Sequence, residues 1–143
     1  MLKLSSGGDY GLMFLAYLAS IPQGSYASLT QVAQQQHLPV KYLEHVAKSL
    51  TRAGVIKSRH GKKGGYTLAV SPTKLRLTQV LRALEEGVEP IRCTHNGRCC
   101  ERRVACEFKT GYQKVHVKLY ELLAGYSLAD LLPTVKGIKC PKN

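Results

Sequence analysis

The sequence is short of acid. Nine Asp and Glu stand against 21 Lys and Arg in 143 residues, a formal net charge of +12 with neutral histidines. Such a field attracts polyanions and speeds encounter with them. Long apolar runs are also absent: none approaches the ~20 residues a membrane-spanning helix needs. Residues 1–9 lack the continuous apolar segment and small-residue cleavage site of a secretory leader. The reading is a soluble cytoplasmic protein with no membrane partner. There is no CxxC redox pair, no pair of catalytic carboxylates and no glycine loop of Walker or dinucleotide type. These absences argue against an enzyme, a thiol oxidoreductase included. Hydrophobic residues make up 44% of the chain, the share of a folded domain, which argues against wholesale disorder.

What charge there is falls unevenly. Residues 1–36 carry one base, Lys3, whereas residues 41–76 carry Lys41, Lys48, Arg52, Lys57, Arg59, Lys62, Lys63, Lys74 and Arg76, opposed only by Glu44. A short basic run is ordinarily a solvated face. A stretch this lopsided, laid over the helical pattern below, points to nucleic acid.

Residues 10–20 read as an apolar helix with Leu12, Leu15, Ala16 and Ala19 on one face. Residues 21–25, with Pro22 and Gly24, signal a loop. A short helix over 29–36 groups Leu29, Val32 and Ala33. Pro39 breaks it, since proline disfavours helical geometry at the residue before it. A second helix over 40–53 repeats Leu43, Val46, Ala47 and Leu50 at core spacing, and Gly54 suits its C-terminal cap. Two short helices joined tightly, the second amphipathic and basic, make a helix-turn-helix, whose second helix fits the major groove of DNA. Its exposed positions are Lys41, Tyr42, Glu44, His45 and Lys48.

Residues 55–59 and 66–70 have strand character, and the loop between them, His60-Gly61-Lys62-Lys63-Gly64-Gly65, is basic and glycine-rich. This predicts a hairpin wing whose glycines permit close approach to a phosphate backbone while the lysines supply charge. A helix over 78–86, with Thr78 as N-cap, then precedes a long helix from residue 107, expected to end near Gly125. Its apolar stripe, Tyr112, Val115, Leu119, Leu122 and Leu123, packs on its own domain or pairs two copies. Residues 127–132 read as a short capped helix stopped by Pro133. The fold class is therefore mainly α with a small β-hairpin. It comprises a winged helix-turn-helix domain over 1–88, a cysteine loop over 89–106, the long and short C-terminal helices over 107–132, and a flexible tail over 133–143.

Four of the five cysteines, Cys93, Cys99, Cys100 and Cys106, fall between the two parts; Cys140 lies near the C-terminus. Clustered cysteines without a secretory leader bind metal or sense redox state more often than they form disulfides. Five residues separate Cys93 from Cys99 and Cys100 from Cys106, wider than a zinc knuckle. Arg92, Arg98, Arg102 and Arg103 favour thiolates. An iron–sulfur cluster, zinc and bare thiol switching all fit this chemistry.

The whole order of elements resembles the IscR/NsrR-type winged-helix regulators, which are bacterial transcription factors. The resemblance rests on Leu4-Ser5-Ser6-Gly7-Gly8-Asp9-Tyr10, Tyr42-Leu43-Glu44, Gly61-Lys62-Lys63-Gly64-Gly65-Tyr66, the cysteine loop and Ser127-Leu128-Ala129-Asp130-Leu131-Leu132. It implies a homodimer on a palindromic operator of double-stranded DNA, controlled by an iron–sulfur cluster of the 2Fe–2S or 4Fe–4S type. The cluster would be held by Cys93, Cys100 and Cys106, with Cys99 competing with Cys100. Lys109 stands where the IscR pattern has a histidine ligand, and Asp9 stands where the NsrR pattern takes an aspartate from the partner subunit; a charge favouring the helix N-terminus is the alternative role for Asp9. For DNA the resemblance implies Lys41, Glu44 and His45 in the major groove and the wing in the minor groove. Where many relatives carry a wing arginine this chain has His60, with Arg59 beside it to substitute. A cluster-free regulator controlled by cysteine oxidation or a partner protein, as in relatives lacking cysteines, is the alternative.

Overall fold

A computed structural model describes residues 6–84 and 108–132. The elements run α1 (Ser6–Ser20), α2 (Leu29–Gln36), α3 (Val40–Arg52), β1 (Ile56–Arg59), β2 (Gly65–Leu68), α4 (Leu77–Ala83), α5 (Lys109–Gly125) and α6 (Leu128–Leu131). This is the expected winged helix-turn-helix with a long helix after it. The cysteine loop, Cys140 and the tail lie outside the described residues, as does the end of the helix expected over 78–86.

The helix-turn-helix follows from local chemistry. Ser28 caps α2 in a capping box: its Oγ accepts from the Gln31 N–H at 3.2 Å, and the Gln31 side-chain oxygen accepts from the Ser28 N–H at 2.9 Å. The helix ends at His37, which takes the left-handed conformation at φ 53, and the Leu38 N–H reaches back to the Ala33 carbonyl at 3.0 Å. Pro39, extended at φ −66, then opens α3, its carbonyl accepting from Tyr42 and Leu43. Along α3 the apolar positions Leu43, Val46, Ala47 and Leu50 are buried and Lys41, Glu44, His45 and Lys48 are exposed, as the 3.6-residue period requires. Gly54 follows at φ 70, a conformation that only glycine takes cheaply.

The core lies between α1, α2, α3 and the base of the wing. Phe14, Leu15, Val32, Leu43 and Leu50 are fully buried in it. Burying each of the larger apolar side chains contributes about 1.5–3 kcal/mol. Two expectations are corrected here. The face of α1 turned inward is Gly11, Phe14, Leu15 and Leu18, whereas Leu12, Ala16 and Ala19 are only partly buried. That helix is apolar on most sides, so its pattern leaves the phase open and the bulk of Phe14 and Leu18 decides it. The helix also begins at Ser6 rather than residue 10, with Gly8 buried in its first turn.

The second correction concerns Thr78. It is not an N-cap but a buried first-turn residue; α4 starts at Leu77 after Arg76, whose N–H donates to the Gln79 side-chain oxygen at 3.0 Å. Tertiary pairing sets that start. The Leu77 N–H donates to the Tyr126 carbonyl at 2.9 Å, the Leu128 N–H to the Leu75 carbonyl at 2.8 Å, and Arg76 bridges Ser127. The segment after α5 therefore returns to the body, and Leu128 is inserted into the core with 1% of its surface exposed.

Candidate nucleic-acid interface

α3 presents one charged face. Lys41, Glu44, His45 and Lys48 are all exposed and recur at helical spacing, and Arg52 extends the same face into the last turn. Tyr42 flanks it, 48% exposed, its ring packed edge-on against Tyr10 of α1 with centroids 5.3 Å apart. That contact steadies the start of the helix, where a groove-reading helix makes its base contacts.

The wing is an antiparallel hairpin. Ile56 pairs with Leu68, Lys57 with Thr67, Ser58 with Tyr66 and Arg59 with Gly65. Its base is held on two sides. Tyr66 and Ala27 exchange backbone hydrogen bonds of 2.8 and 3.0 Å, and the Tyr66 ring meets Phe14 edge-on at 6.0 Å. The glycines at the tip are needed. A Cβ on Gly64 would run into the Arg59 carbonyl, and one on Gly65, at φ 145, into the Ala27 carbonyl. The Gly64 N–H closes the turn onto the Gly61 carbonyl at 2.8 Å. His60, Lys62 and Lys63 are exposed on this turn.

Arg59 is engaged inside the wing. Its guanidinium lies over the Tyr26 ring, 4.1 Å from the centroid, and its Nη2 donates to the Lys63 carbonyl at 2.8 Å. Sequence reasoning missed Tyr26, which lies in the loop before α2. No local signal marks it, because its partner is 33 positions along the chain (59 − 26).

The long helix α5 packs on α4. Of its expected stripe, Tyr112, Val115 and Leu122 are 43%, 56% and 59% exposed, while Leu119 and Leu123 are half-buried. Val117 adds to the uncovered apolar surface at 51%. Ser127 caps α6: both its N–H and its hydroxyl donate to the Asp130 carboxylate at 2.7 Å. These hydrogen bonds, side chain before backbone, hold the Asp130 carboxyl below its ordinary value, and the nearby Arg76 charge adds to them.

Of the expected cluster ligands, Asp9 is exposed in the first turn of α1. Cys93, Cys99, Cys100 and Cys106 lie outside the described residues. Among the described residues no three His, Cys, Asp or Glu side chains gather as a metal site, and no helix is long and apolar enough to cross a membrane.

With this geometry in place, comparison with known proteins is informative. A family model, Rrf2, described as an iron-dependent transcriptional regulator, matches residues 4–134. The protein Rrf2 of Nitratidesulfovibrio vulgaris is 34% identical over 142 residues, which cover 99% of this chain and 93% of that protein. CymR, described as the global cysteine regulator of B. subtilis, superimposes with a TM-score of 0.74 at 29% identity, covering 95% of this chain and 100% of its own. T. potens IscR superimposes with a TM-score of 0.72 at 27% identity, covering 99% of this chain and 94% of its own.

Proposed function

The chain belongs to the Rrf2 family of transcriptional regulators, and from that premise we propose that it is a homodimeric repressor or activator whose affinity for operator DNA is set by an iron–sulfur cluster. Its family is one of regulators, not enzymes. The observation that carries the DNA reading is the exposed charged face of α3 followed directly by a braced basic wing. In this reading Lys41, Tyr42, Glu44, His45 and Lys48 enter the major groove, Glu44 accepting from a cytosine amine. His60, Lys62 and Lys63 meet the backbone or minor groove, with Arg59 shaping the turn that presents them. The uncovered stripe of α5 pairs two copies, so that two α3 helices address the half-sites of a palindrome.

The donor set suits a cluster. Thiolates are the usual ligands of iron–sulfur centres, and four arginines in the same segment offset their charge. Cys93, Cys100 and Cys106 would hold it, with Cys99 as the alternative to Cys100, and the exposed Asp9 of the partner subunit completing the set. When bound, the cluster supplies a redox-sensitive and nitric-oxide-sensitive centre that also reports iron and cluster supply. A carboxylate is a hard, weakly held ligand for iron, so Asp9, were it to complete the set, would be lost easily to a signal molecule. Asp9 equally complements the dipole at the start of α1, which keeps that turn formed when the ligand is lost.

A specific observation supports a second reading, in which cysteine oxidation or a partner protein replaces the cluster: a structural neighbour, Staphylococcus aureus CymR, is described in an oxidized form. Anaerobic purification separates the two. The cluster reading expects coloured protein containing iron and sulfide, and a colourless preparation that stays apo after reconstitution sinks it. DNA binding is tested apart from this, by selection from a random duplex pool. A two-fold symmetric sequence with half-sites about one helical turn apart is expected; failure to retain any duplex at low salt overturns the DNA reading.

A further inference from the structure

A cavity of about 380 Å³ opens where the end of α3, the β2–α4 connector, α4 and α5 meet. That volume falls within the range of about 300–1,000 Å³ typical of small-molecule sites. Gly54, Leu75 and the Tyr120 ring supply apolar wall, and Lys74 and Arg82 supply two positive charges. Among the described residues no Asp or Glu lines it. Among the described residues no hydrogen bond or ion pair engages the side chain of Lys74 or Arg82. Thr78, 6% exposed, also lines the cavity, and its hydroxyl has no hydrogen-bond partner among the described residues. A buried hydroxyl without a partner marks a place for a ligand or water, because burial without a hydrogen bond is costly.

We propose that this cavity binds a small organic anion, an acidic head on an apolar body, as an effector. The Lys74 and Arg82 charges and the Thr78 hydroxyl suit the head, and the wall of Leu75 and Tyr120 suits the body. The end of α3 does not oppose this, since its last carbonyls are already occupied: Ala53, Gly54 and Val55 donate to Ser49, Thr51 and Leu50 at 3.0 Å each. The location gives the occupant leverage. It touches the glycine that caps α3 and a side chain of α5, so a ligand that prefers one disposition of these helices changes how α3 is presented. The site is distinct from the residues proposed to read the major groove: Lys41, Tyr42, Glu44, His45 and Lys48 do not line it, and Glu44 lies nine residues, about 14 Å along the axis, before the cap residue Ala53. The effector role rests on the DNA-binding reading; occupation of the cavity does not.

The test uses the full-length protein and sodium benzoate, with benzamide as a neutral isostere at constant ionic strength, followed by backbone amide NMR. Benzoate is expected to shift the Gly54, Leu75 and Ala83 signals saturably, and benzamide to leave them in place. The Lys74→Gln/Arg82→Gln double variant, its fold verified from its own amide spectrum, is expected to bind benzoate at least about tenfold more weakly. Non-saturating shifts, shifts spread over the wing lysines, or equal binding by the double variant would overturn the site. Saturating benzoate is also expected to change the affinity for the selected duplex. A filled cavity with unchanged affinity overturns the effector role, whereas a filled cavity in a protein that binds no duplex upholds the site and sinks the DNA reading.

Discussion

Replacing Tyr26 by Leu removes an aromatic ring that bears no charge and stands outside the hairpin, yet it should weaken DNA binding. The reason is Arg59, whose guanidinium sits 4.1 Å from the ring centroid and donates to the Lys63 carbonyl at 2.8 Å. A cation–π contact at an exposed site is worth about 0.5–1 kcal/mol. If that energy is what holds the wing turn in its bound shape, its loss lowers affinity about two- to fivefold. Arg59→Gln loses the charge-assisted hydrogen bond as well, a further ~1 kcal/mol at this exposure, so affinity falls about 10- to 30-fold. These are upper values, because the Gly61–Gly64 turn and the Ala27–Tyr66 bridge still restrain the wing. Fluorescence anisotropy on the selected duplex across a salt series separates bracing from direct contact. Losing one phosphate contact lowers the log–log salt slope by about 0.9. A brace leaves the slope unchanged in both variants. Wild-type affinity for Tyr26→Leu, with a slope lowered by about one in Arg59→Gln, would refute the bracing role and make Arg59 a groove contact.

Other outcomes follow from the same structure. Glu44→Ala should relax sequence preference by about 1–3 kcal/mol at one base pair without abolishing binding; an equal loss on all sequences, read by competition with random duplex, contradicts the placement of α3. Leu128→Ala should cost about 2–5 kcal/mol in a urea unfolding experiment, because the side chain, at the start of α6, is 1% exposed in the core. The lowered carboxyl of Asp130 sets an acid dependence. Its folded pKa lies below its unfolded one, so its stabilising contribution is complete above the ordinary carboxylate range and disappears as pH falls through the folded value. Asp130→Asn should therefore lower the urea midpoint at neutral pH and converge with wild type in strong acid. A gap of constant size across that range would show that the carboxylate charge is not what caps α6.

The two short helices and the wing were legible because their signals are local. Pro39 and Gly54 punctuate the chain within a turn of the elements they bound, and the α3 apolar positions recur within two turns of each other. The charged face of α3 then follows from periodicity alone. Thr78 shows where such reasoning stops. A threonine ahead of an apolar run is a reasonable cap, but the helix begins one residue earlier because Leu77 is drawn to the Tyr126 carbonyl, 49 positions away (126 − 77). The cysteine loop was legible as chemistry only, since thiolate clustering marks a segment fit for metal binding or redox sensing and not where it sits.

The amino-acid order by itself determined the reading head: α2, the left-handed turn at His37, α3 with its charged face, and a hairpin whose Gly64 admits no side chain. Each depends on residues within a few positions of one another, where backbone preference and hydrophobic period act directly. Tertiary structure alone decided which face of α1 turned inward, that Tyr26 carries Arg59, that Leu128 anchors the end of α5 in the core, and that Lys74, Thr78 and Arg82 share a cavity with Tyr120. Those partners lie far apart along the chain. Only packing, which places bulk, charge and unpaired backbone groups together in space, brings them into contact.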